Sequence, residues 1–321
     1  MNPEQARWFG ENFAAIVNNV ERAIVGKTEA IRLAVTCMLA EGHLLLEDYP
    51  GTGKTTLARA IAQSVQGTSS RIQFTPDLLP SDVTGVTIFD QKVGEFEFHQ
   101  GPIFASIVLA DEINRASPKT QSALLEVMEE ARVTVDGQSY PVGQPFMVIA
   151  TQNPIEQAGT YRLPEAQLDR FLMKTTLGYP DRQATMRILA SGGSRPRSAA
   201  LPSVVTSSQV TEMSQLAASV HIESSVLDYI VRLTEATRGA EDVRLGVSVR
   251  GGLALVRATR VWAASQGRHF VVPDDVKMLA IACLAHRLIL DPEAEFNGVQ
   301  SVDVMAQILG AVPPPTERQP A

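Results

Sequence analysis

The chain has little cysteine, few aromatic residues and no excess of positive charge. Its 321 residues include 2 cysteines, and aromatic residues make up 6%. Cys37 and Cys283 lie in apolar stretches with helical spacing, so we expect two buried, reduced thiols rather than a disulfide. The formal net charge of -7 excludes a general attraction to nucleic acid or to an anionic membrane, and leaves only a local basic patch open.

Long apolar runs are also missing. No uninterrupted run reaches the ~18 residues of a membrane-spanning helix. The apolar stretch 281–290 contains His286 and Arg287, so it fits a core helix better than a membrane span. The first residues, MNPEQARWFGENF, lack the basic and apolar segments of a signal peptide. We therefore expect a cytoplasmic protein without membrane insertion, and its length allows two domains.

Short apolar runs alternate with helical patterns in the first half of the chain. Strands are predicted at 43–47, 71–74, 107–110, 145–150 and 171–177, and helices at 11–40 (broken at Gly26), from Gly53 to Val65, and at 118–131. This alternation indicates a mostly parallel sheet with helices on both faces. Segments 87–98 and 132–142 instead alternate around Val93-Gly94 and Asp136-Gly137, so we expect two inserted β-hairpins.

The pattern changes after about residue 180. Segment 191–208 is rich in serine, glycine, proline and alanine, and the following hundred or so residues read as helical, with 270–272 the one candidate strand. We therefore expect an α/β core over 1–182, a linker over 183–208, a helical domain over 209–312 and a disordered tail over 313–321.

A phosphate-binding loop follows the first predicted strand. Such a loop needs small residues whose N–H groups face the phosphates, a lysine for the β/γ oxygens, a hydroxyl for Mg²⁺, and a helix that opens at once. The candidate residues are Pro50-Gly51-Thr52-Gly53-Lys54-Thr55-Thr56. The full pattern starts with glycine, but Asp48 stands there, so the loop must begin without glycine's freedom in φ. The alternative is a plain glycine turn.

Two acids follow the third predicted strand. A phosphate-loop site needs a carboxylate near Mg²⁺ and a base that orients the attacking water. Asp111 is the candidate for the metal and Glu112 the candidate base. An acidic pair that caps a turn is the alternative.

Three further polar residues are candidates for the same chemistry. Asn153 ends the fourth strand, where an amide can hold the lytic water or contact the γ-phosphate, unless it belongs to an Asn-Pro turn. Arg170 and Arg250 are candidates for stabilising the charge that develops during phosphoryl transfer. The alternative for each arginine is a solvated or salt-bridged side chain.

These residues together resemble the AAA+ ATPases, and within them the MoxR family. The resemblance is carried by DEINRASPKTQSALLEVMEE (111–130), RLPEAQLDRF (162–171) and TQNP (151–154), and it covers roughly residues 20–310. It implies an α/β P-loop NTPase core with strand order 5-1-4-3-2 and inserted hairpins, followed by a small all-α lid. It also implies ATP bound between core and lid, and a homo-oligomeric, usually hexameric ring.

The resemblance also assigns roles to individual residues. Lys54 and Thr55 correspond to Walker A, Asp111 and Glu112 to Walker B, and Asn153 to sensor 1. Arg170 corresponds to an arginine finger that acts on the neighbouring subunit's ATP. Arg250 corresponds to sensor 2 from the lid of the same subunit. The segment Ile24-Val25-Gly26 corresponds to the part that packs on adenine, with Val25 and Gly26 as the binding residues.

Proteins of this kind remodel or activate partner complexes, so we expect an ATP-hydrolysing chaperone. The resemblance further implies a von Willebrand factor A domain partner, and metal or cofactor insertion as the task. A magnesium-chelatase-type ATPase subunit is one alternative. A nucleic-acid motor is another, but segment 87–98 offers only Lys92 and segment 132–142 only Arg132 as cations. A non-hydrolysing ATP switch is a third, which Glu112 and Arg170 argue against.

Overall fold

The structure, a computed structural model, describes residues 1–49, 51–92, 94–153, 160–190 and 201–315. Its strands, labelled in chain order, are β1 (Leu44–Glu47), β2 (Ser69–Gln73), β3 (Gly85–Asp90), β4 (Glu95–Gln100), β5 (Ile107–Asp111), β6 (Arg132–Val135), β7 (Gln138–Pro141), β8 (Met147–Gln152), β9 (Met173–Thr175), β10 (Val243–Leu245) and β11 (Ile289–Leu290). Its helices are α1 (Pro3–Glu21), α2 (Thr28–Leu39), α3 (Lys54–Ser64), α4 (Pro80–Thr84), α5 (Pro118–Glu130), α6 (Glu165–Leu168), α7 (Arg182–Ala190), α8 (Ser207–Ala218), α9 (Ser224–Arg238), α10 (Val249–Ser265), α11 (Pro273–Leu284), α12 (Pro292–Phe296) and α13 (Ser301–Ala311).

Five parallel strands form the central sheet in the order β2-β5-β8-β1-β9. If these five strands alone are numbered 1 to 5 in chain order, the sheet order is 2-3-4-1-5, which is the predicted order 5-1-4-3-2 read in the opposite direction. Strands β5 and β8 read IVLAD and MVIATQ, and their side chains are buried along almost the whole length. Continuous apolar runs of this kind are typical of parallel strands that are covered on both faces.

The two faces of the sheet belong to two apolar clusters. Leu44, Leu46 and Ile149 pack into one cluster with α1, α2, α3 and the helices beyond residue 205. Leu45 and Val148 pack into the other, with α5 on the opposite face. Because strand side chains alternate between faces, the run Leu44–Leu46 joins both clusters. The helical domain therefore shares an apolar core with one face of the sheet.

Both predicted hairpins are present. Strands β3 and β4 pair in register from Gly85 with Gln100 to Asp90 with Glu95; Val93 lies outside the described residues, and Gly94 has φ +78°. Strands β6 and β7 pair around Asp136 and Gly137, which both have positive φ, as a tight hairpin turn requires. The rings of Phe98 and Tyr140 stack with centroids 4.2 Å apart, so the two hairpins contact each other.

The second half of the chain departs from the all-α prediction at one point. Strands β10 and β11 form a short antiparallel pair, which the sequence reading missed because two or three residues carry no periodic signal. The candidate strand at 270–272 is not one: Phe270 makes an isolated bridge to His221, and Val272 is the N-cap of α11. Among the described residues, no helix is long and apolar enough to cross a membrane.

The structure describes parts of the expected linker and tail. Residues 183–190 of the expected linker belong to α7, because RQATMRILA is made mostly of residues that favour helix, and α8 begins at Ser207. Residues 191–200 lie outside the described residues. Of the expected disordered tail, 316–321 also lie outside them, while the carbonyl of Pro313 accepts a hydrogen bond from Arg232 over 3.0 Å. The domain boundaries themselves stay a prediction.

His43 joins three elements at the amino-terminal edge of the sheet. Its Nδ1 accepts the N–H of Val148 over 3.0 Å. Its Nε2 lies 2.8 Å from the carbonyl oxygen of Met128, and because that oxygen can only accept, Nε2 carries the proton. Burial lowers the pKa of His43 to about 4, the charge of Arg257 acts in the same direction, and the bond to Met128 acts against both. His43 is therefore neutral in the folded protein near pH 7.

We predict that this histidine makes the protein less stable in mild acid. An unfolded histidine takes up a proton below pH ~6.5, whereas folded His43 resists protonation until about pH 4. The unfolded state therefore binds more protons in this window, and the free energy of unfolding falls as pH falls, by on the order of 3 kcal/mol in total. His286, whose pKa burial also lowers, acts in the same direction.

The measurement is chemical denaturation between pH 7.5 and pH 4 for the unsubstituted protein, His43→Gln and His99→Gln. His43→Gln is expected to be less stable at pH 7.5 but to lose less stability on acidification. His99→Gln removes an exposed histidine and serves as the control. Parallel pH curves for His43→Gln and the unsubstituted protein would contradict the prediction.

Candidate functional site

The loop between β1 and α3 has the geometry of a phosphate cradle. Gly51 and Gly53 have φ of +82° and +99°, and a Cβ on either would meet nothing within 4 Å. Backbone conformation, not crowding, therefore requires glycine here. Helix α3 begins at Lys54 directly after the loop, so its free N–H groups and the positive end of its dipole face the same space. Pro50 lies outside the described residues.

Lys54 lies over this loop with backbone partners. Its Nζ donates to the carbonyl oxygens of Asp48 and Tyr49, each over 3.3 Å. Two neutral acceptors at that distance hold an ammonium weakly, so the side chain is available to an anion. Thr55 and Thr56 follow on the first turn of α3 and are half-buried, and Thr52 is buried in the loop.

The two acids lie at the carboxyl end of β5, beside this loop. Asp111 is buried and accepts from the hydroxyl of Thr151 over 2.7 Å through Oδ1. Thr151, on the neighbouring strand β8, also accepts the N–H of Glu112 over 2.8 Å. Glu112 has φ +57° and ψ +50°, a left-handed conformation that costs a non-glycine residue energy and is found disproportionately at functional sites.

Each acid also has a polar partner from a neighbouring segment. The guanidinium of Arg71, on β2, lies 2.7 Å from Oδ2 of Asp111. The carboxylate of Glu112 accepts from Gln73, also on β2, over 2.9 Å and from Arg115 over 3.0 Å. Two side chains of strand β2 therefore contact the acidic pair.

The structure brings the loop, the acids and Asn153 to one edge of the sheet. Asn153 is buried and directly follows β8, which lies between β5 and β1. The carboxyl ends of parallel strands meet at one edge, which is where ligands bind in open α/β sheets. Pro154 and the residues up to 159 lie outside the described residues.

The oxygen ligands at this edge suit Mg²⁺. Among the described residues, no group of three or more histidine, cysteine, aspartate or glutamate side chains could hold a metal. A cation would therefore take most of its ligands from substrate phosphates and water, as Mg²⁺ commonly does, with Asp111 and the hydroxyl of Thr55 as hard oxygen ligands. Arg71, whose side chain is 49% exposed, pairs with Asp111, whose side chain is 10% exposed, so a cation at Asp111 would have to share this carboxylate with Arg71 or displace it.

The predicted adenine segment lies beside the loop that follows β9. Gly26 has φ +77°, and a Cβ there would lie 3.3 Å from the Cβ of Ala184 on α7. The next residue, Lys27, donates from Nζ to the carbonyl oxygen of Tyr179 over 2.6 Å. Val25 is half-buried in the same turn. This turn is therefore attached to residues 177–184.

The two candidate arginines share one carboxylate. Arg170 lies 2.9 Å from Oε2 of Glu129, and Arg250 lies 2.6 Å from Oε1. Arg170 also donates to the carbonyl oxygen of Leu125 over 2.6 Å. Arg170 comes from the core, Arg250 from the first turn of α10, and Glu129 from the last turn of α5. Guanidiniums from two domains thus converge on one exposed acid.

This position differs from the one that the resemblance implies for Arg250. Glu129 follows Met128, whose carbonyl oxygen contacts His43, so the two arginines lie at the amino-terminal edge of the sheet. The phosphate loop lies at the opposite edge, beyond β1, whose four residues span roughly 13 Å. The structure therefore does not bring Arg250 to the phosphate loop of its own subunit.

A buried arginine of the helical lid bonds to the core segment on both sides of Arg170. Arg287 donates from Nε to Oδ1 of Asp169 over 2.7 Å and from Nη2 to the carbonyl oxygen of Phe171 over 2.7 Å. Burial lowers the pKa of Arg287, and the hydrogen bond to Asp169 opposes this. Because Arg170 lies between Asp169 and Phe171, the lid directly supports the segment that carries it.

Sequence reasoning missed four residues of this site. Their contacts with the site depend on which strands are neighbours and on how the lid packs. The four residues are Arg71, Gln73, Thr151 and Glu129. Arg71 and Gln73 could have been found from the predicted strand order, because that order places the end of the second strand beside the end of the third, where the two acids lie. Glu129 was within a recognised motif, but its partner Arg250 is distant in sequence.

Comparisons with known proteins agree with this architecture. Residues 43–173 match a family model described as "ATPase family associated with various cellular activities (AAA)". Residues 235–308 match a model described as an AAA lid domain. The two matched regions correspond to the sheet with its hairpins and to the greater part of the helical domain.

Whole-chain relatives are similar over nearly the full length. The chain is 47% identical to the uncharacterized protein YeaC of Bacillus subtilis over 302 residues, 94% of each chain. It is 40% identical to the chaperone MoxR1 of Mycobacterium tuberculosis over 94% of this chain and 84% of the relative. A crystal structure from Cytophaga hutchinsonii, provisionally described as an ATPase, superposes with a TM-score of 0.91 at 36% identity and covers 98% of both chains.

Proposed function

We propose, from the premise that this chain belongs to the MoxR family of AAA+ ATPases, that it hydrolyses ATP as a ring-forming chaperone that remodels or activates partner proteins. One observation carries the proposal. A phosphate loop, a buried aspartate, a left-handed glutamate and an asparagine share one edge of the sheet, while the two candidate arginines lie at the other edge. A single subunit thus holds both halves of a hydrolytic site, but apart from each other.

The residues at the loop edge divide the chemistry among them. Lys54 and the N–H groups of the loop bind the β- and γ-phosphates. Glu112 orients and polarises the attacking water, and Asn153 contacts the water or the γ-phosphate. Mg²⁺, when held by Thr55 and Asp111, would neutralise charge between the β- and γ-phosphates. Arg71 and Gln73 contact the two carboxylates and orient them at this edge.

Arg170 and Arg250 act on the nucleotide of the neighbouring subunit. Both pair with Glu129, and a guanidinium that pairs with a carboxylate can also pair with a phosphate. In a ring of heterologous contacts, this edge of one subunit meets the loop edge of the next. The resemblance to the family supports a ring, which we expect to be hexameric.

The first hairpin favours a protein client over nucleic acid. It exposes Ile88, Phe89 and Phe96, the last 75% exposed, and apolar surface of this kind binds protein partners. Its acidic residues Asp90, Glu95 and Glu97 outnumber Lys92, which opposes contact with phosphates.

The family resemblance, and not the hairpin, is the basis for proposing a von Willebrand factor A domain partner and metal or cofactor insertion as the task. The free, buried thiols of Cys37 and Cys283 suit a cytoplasmic location.

We predict that Lys54→Ala and Glu112→Gln separate binding from hydrolysis. Lys54→Ala removes the cation that meets the phosphates, so ATP binding is lost. Glu112→Gln keeps the shape but cannot take up a proton, so ATP still binds while turnover falls by about 10²–10⁴-fold. Binding is measured by calorimetry and turnover by phosphate release. Glu235→Gln, an exposed carboxylate on α9, is the control, and turnover of Glu112→Gln at the parental rate would remove Glu112 as the base.

We predict that mixing inactive subunits restores activity if both arginines act across the interface. In a random equal mixture of Lys54→Ala with Arg170→Ala subunits, about a quarter of the interfaces join an intact loop to intact arginines. Mixtures of Lys54→Ala with Arg250→Ala subunits are expected to recover in the same way. Phosphate release is the readout, and sizing checks that each variant assembles.

The third pairing is the decisive control. A mixture of Arg170→Ala with Arg250→Ala subunits stays inactive, because every interface takes both arginines from one subunit and so lacks one of them. Recovery in this mixture, without recovery in the mixture of Lys54→Ala with Arg250→Ala, would return Arg250 to its own subunit's nucleotide.

A further inference from the structure

The strand order indicates where the base end of a nucleotide must lie. Asp111 and Asn153, which the proposed function assigns to the γ-phosphate end of the nucleotide, lie at the carboxyl ends of β5 and β8 on one side of β1. The phosphate chain runs along the loop after β1, so the sugar and base extend to the other side, toward β9. This direction rests on the proposed ATPase function.

The loop after β9 and the turn before α2 line that side. The N–H groups of Leu177 and Gly178 point back toward the beginning of the phosphate loop, and the carbonyl oxygen of Tyr179 accepts from Lys27 over 2.6 Å. The aromatic ring of Tyr179 is exposed and stacks on Tyr49 with centroids 5.8 Å apart and an interplanar angle of 9°. Flat aromatic surface at this point suits contact with a base.

Asp48 ties this loop to the phosphate loop. The residue is buried, with 2% of its surface exposed, and its two carboxylate oxygens accept the N–H groups of Leu177 and Gly178, the latter over 2.8 Å. Its own N–H donates to the carbonyl oxygen of Gln152 over 3.1 Å, which continues the pairing of β1 with β8. The glycine that usually starts a phosphate loop has no side chain and would leave both N–H groups without this acceptor.

We propose that Asp48 is a positioning residue: it holds the loop 177–179 at a fixed place relative to the phosphate loop and thereby sets how tightly the base end of the nucleotide is bound. Asp48 acts through Leu177, Gly178 and Tyr179 and not on the phosphates. Its removal therefore weakens binding of a nucleotide but not of a phosphate chain that has no base.

The test compares two ligands on the full-length protein. A slowly hydrolysed ATP analogue needs both parts of the site, and inorganic tripolyphosphate needs only the phosphate loop. Asp48→Asn and Asp48→Gly are each expected to weaken binding of the analogue about tenfold, because one or two buried N–H groups lose a charged acceptor. Tripolyphosphate affinity is expected to stay within about twofold in both variants. Calorimetry gives the affinities, and thermal unfolding shows that each variant is folded.

A second variant keeps the proposal testable if the buried site does not tolerate substitution. Lys27→Met removes the other tie to the loop, the bond to the carbonyl oxygen of Tyr179, from a half-buried position. It is also expected to weaken the analogue more than tripolyphosphate. Equal losses for both ligands, or no loss for either, in any folded variant would overturn the proposal.

Two controls separate this result from the proposed function itself. Lys54→Ala is expected to lose both ligands, because it removes the phosphate contact. If the unsubstituted protein binds neither ligand, the ATPase proposal fails and this inference falls with it. If the unsubstituted protein binds both ligands, failure of the Asp48 variants to discriminate between them overturns this inference alone.

Discussion

The parallel pairing of β2, β5, β8, β1 and β9 is the constraint on which the rest of the structure depends. Parallel strands present their carboxyl ends at one edge, and this alone brings the phosphate loop, the acids and Asn153 together. The same pairing sends Arg170 to the opposite edge, because it precedes β9, and Glu129 there as well, because it ends the helix that runs back from β5. The separation of acids from arginines is thus a property of the sheet, and under the proposed function it makes a second subunit part of the site.

The lid adds the second arginine and fixes its direction. Its helices share an apolar cluster with α1 and one face of the sheet, so the lid is packed against the core over a wide area. Arg287 makes this packing specific, because it bonds to the chain on both sides of Arg170. A shift of the lid must therefore disturb Arg170 and Arg250 together. Under the proposed function, this coupling gives a physical route from hydrolysis at one interface to movement of the next subunit.

Much of the fold could be predicted from the sequence because the signals are local. Apolar runs bounded by turn residues located the five core strands, and Asp136-Gly137 located the second hairpin. The phosphate loop and the acids were also visible, because each follows a strand directly. The pair β10–β11 was not, since strands of two or three residues have no period, and α7 was hidden beside a segment rich in serine and glycine.

The parts of the site that escaped prediction depend on contacts between distant residues. The position of Arg250 is set by how the lid packs, and Arg287, which anchors the lid, gives no signal in one sequence beyond a charge in an apolar stretch. The odd residue of the phosphate loop, Asp48, was noticed as a missing glycine. Its partners, the N–H groups of Leu177 and Gly178, lie about 130 residues away and could not be found from spacing.

The most direct test of an active site shared between subunits is the ATPase rate per subunit against protein concentration, with Mg²⁺ present. It should be paired with sizing in the presence and absence of a slowly hydrolysed ATP analogue. A rate that rises steeply with concentration, together with a larger species in nucleotide, is the predicted result. A constant rate from a protein that stays monomeric would show that one subunit completes its own site, and would contradict the account.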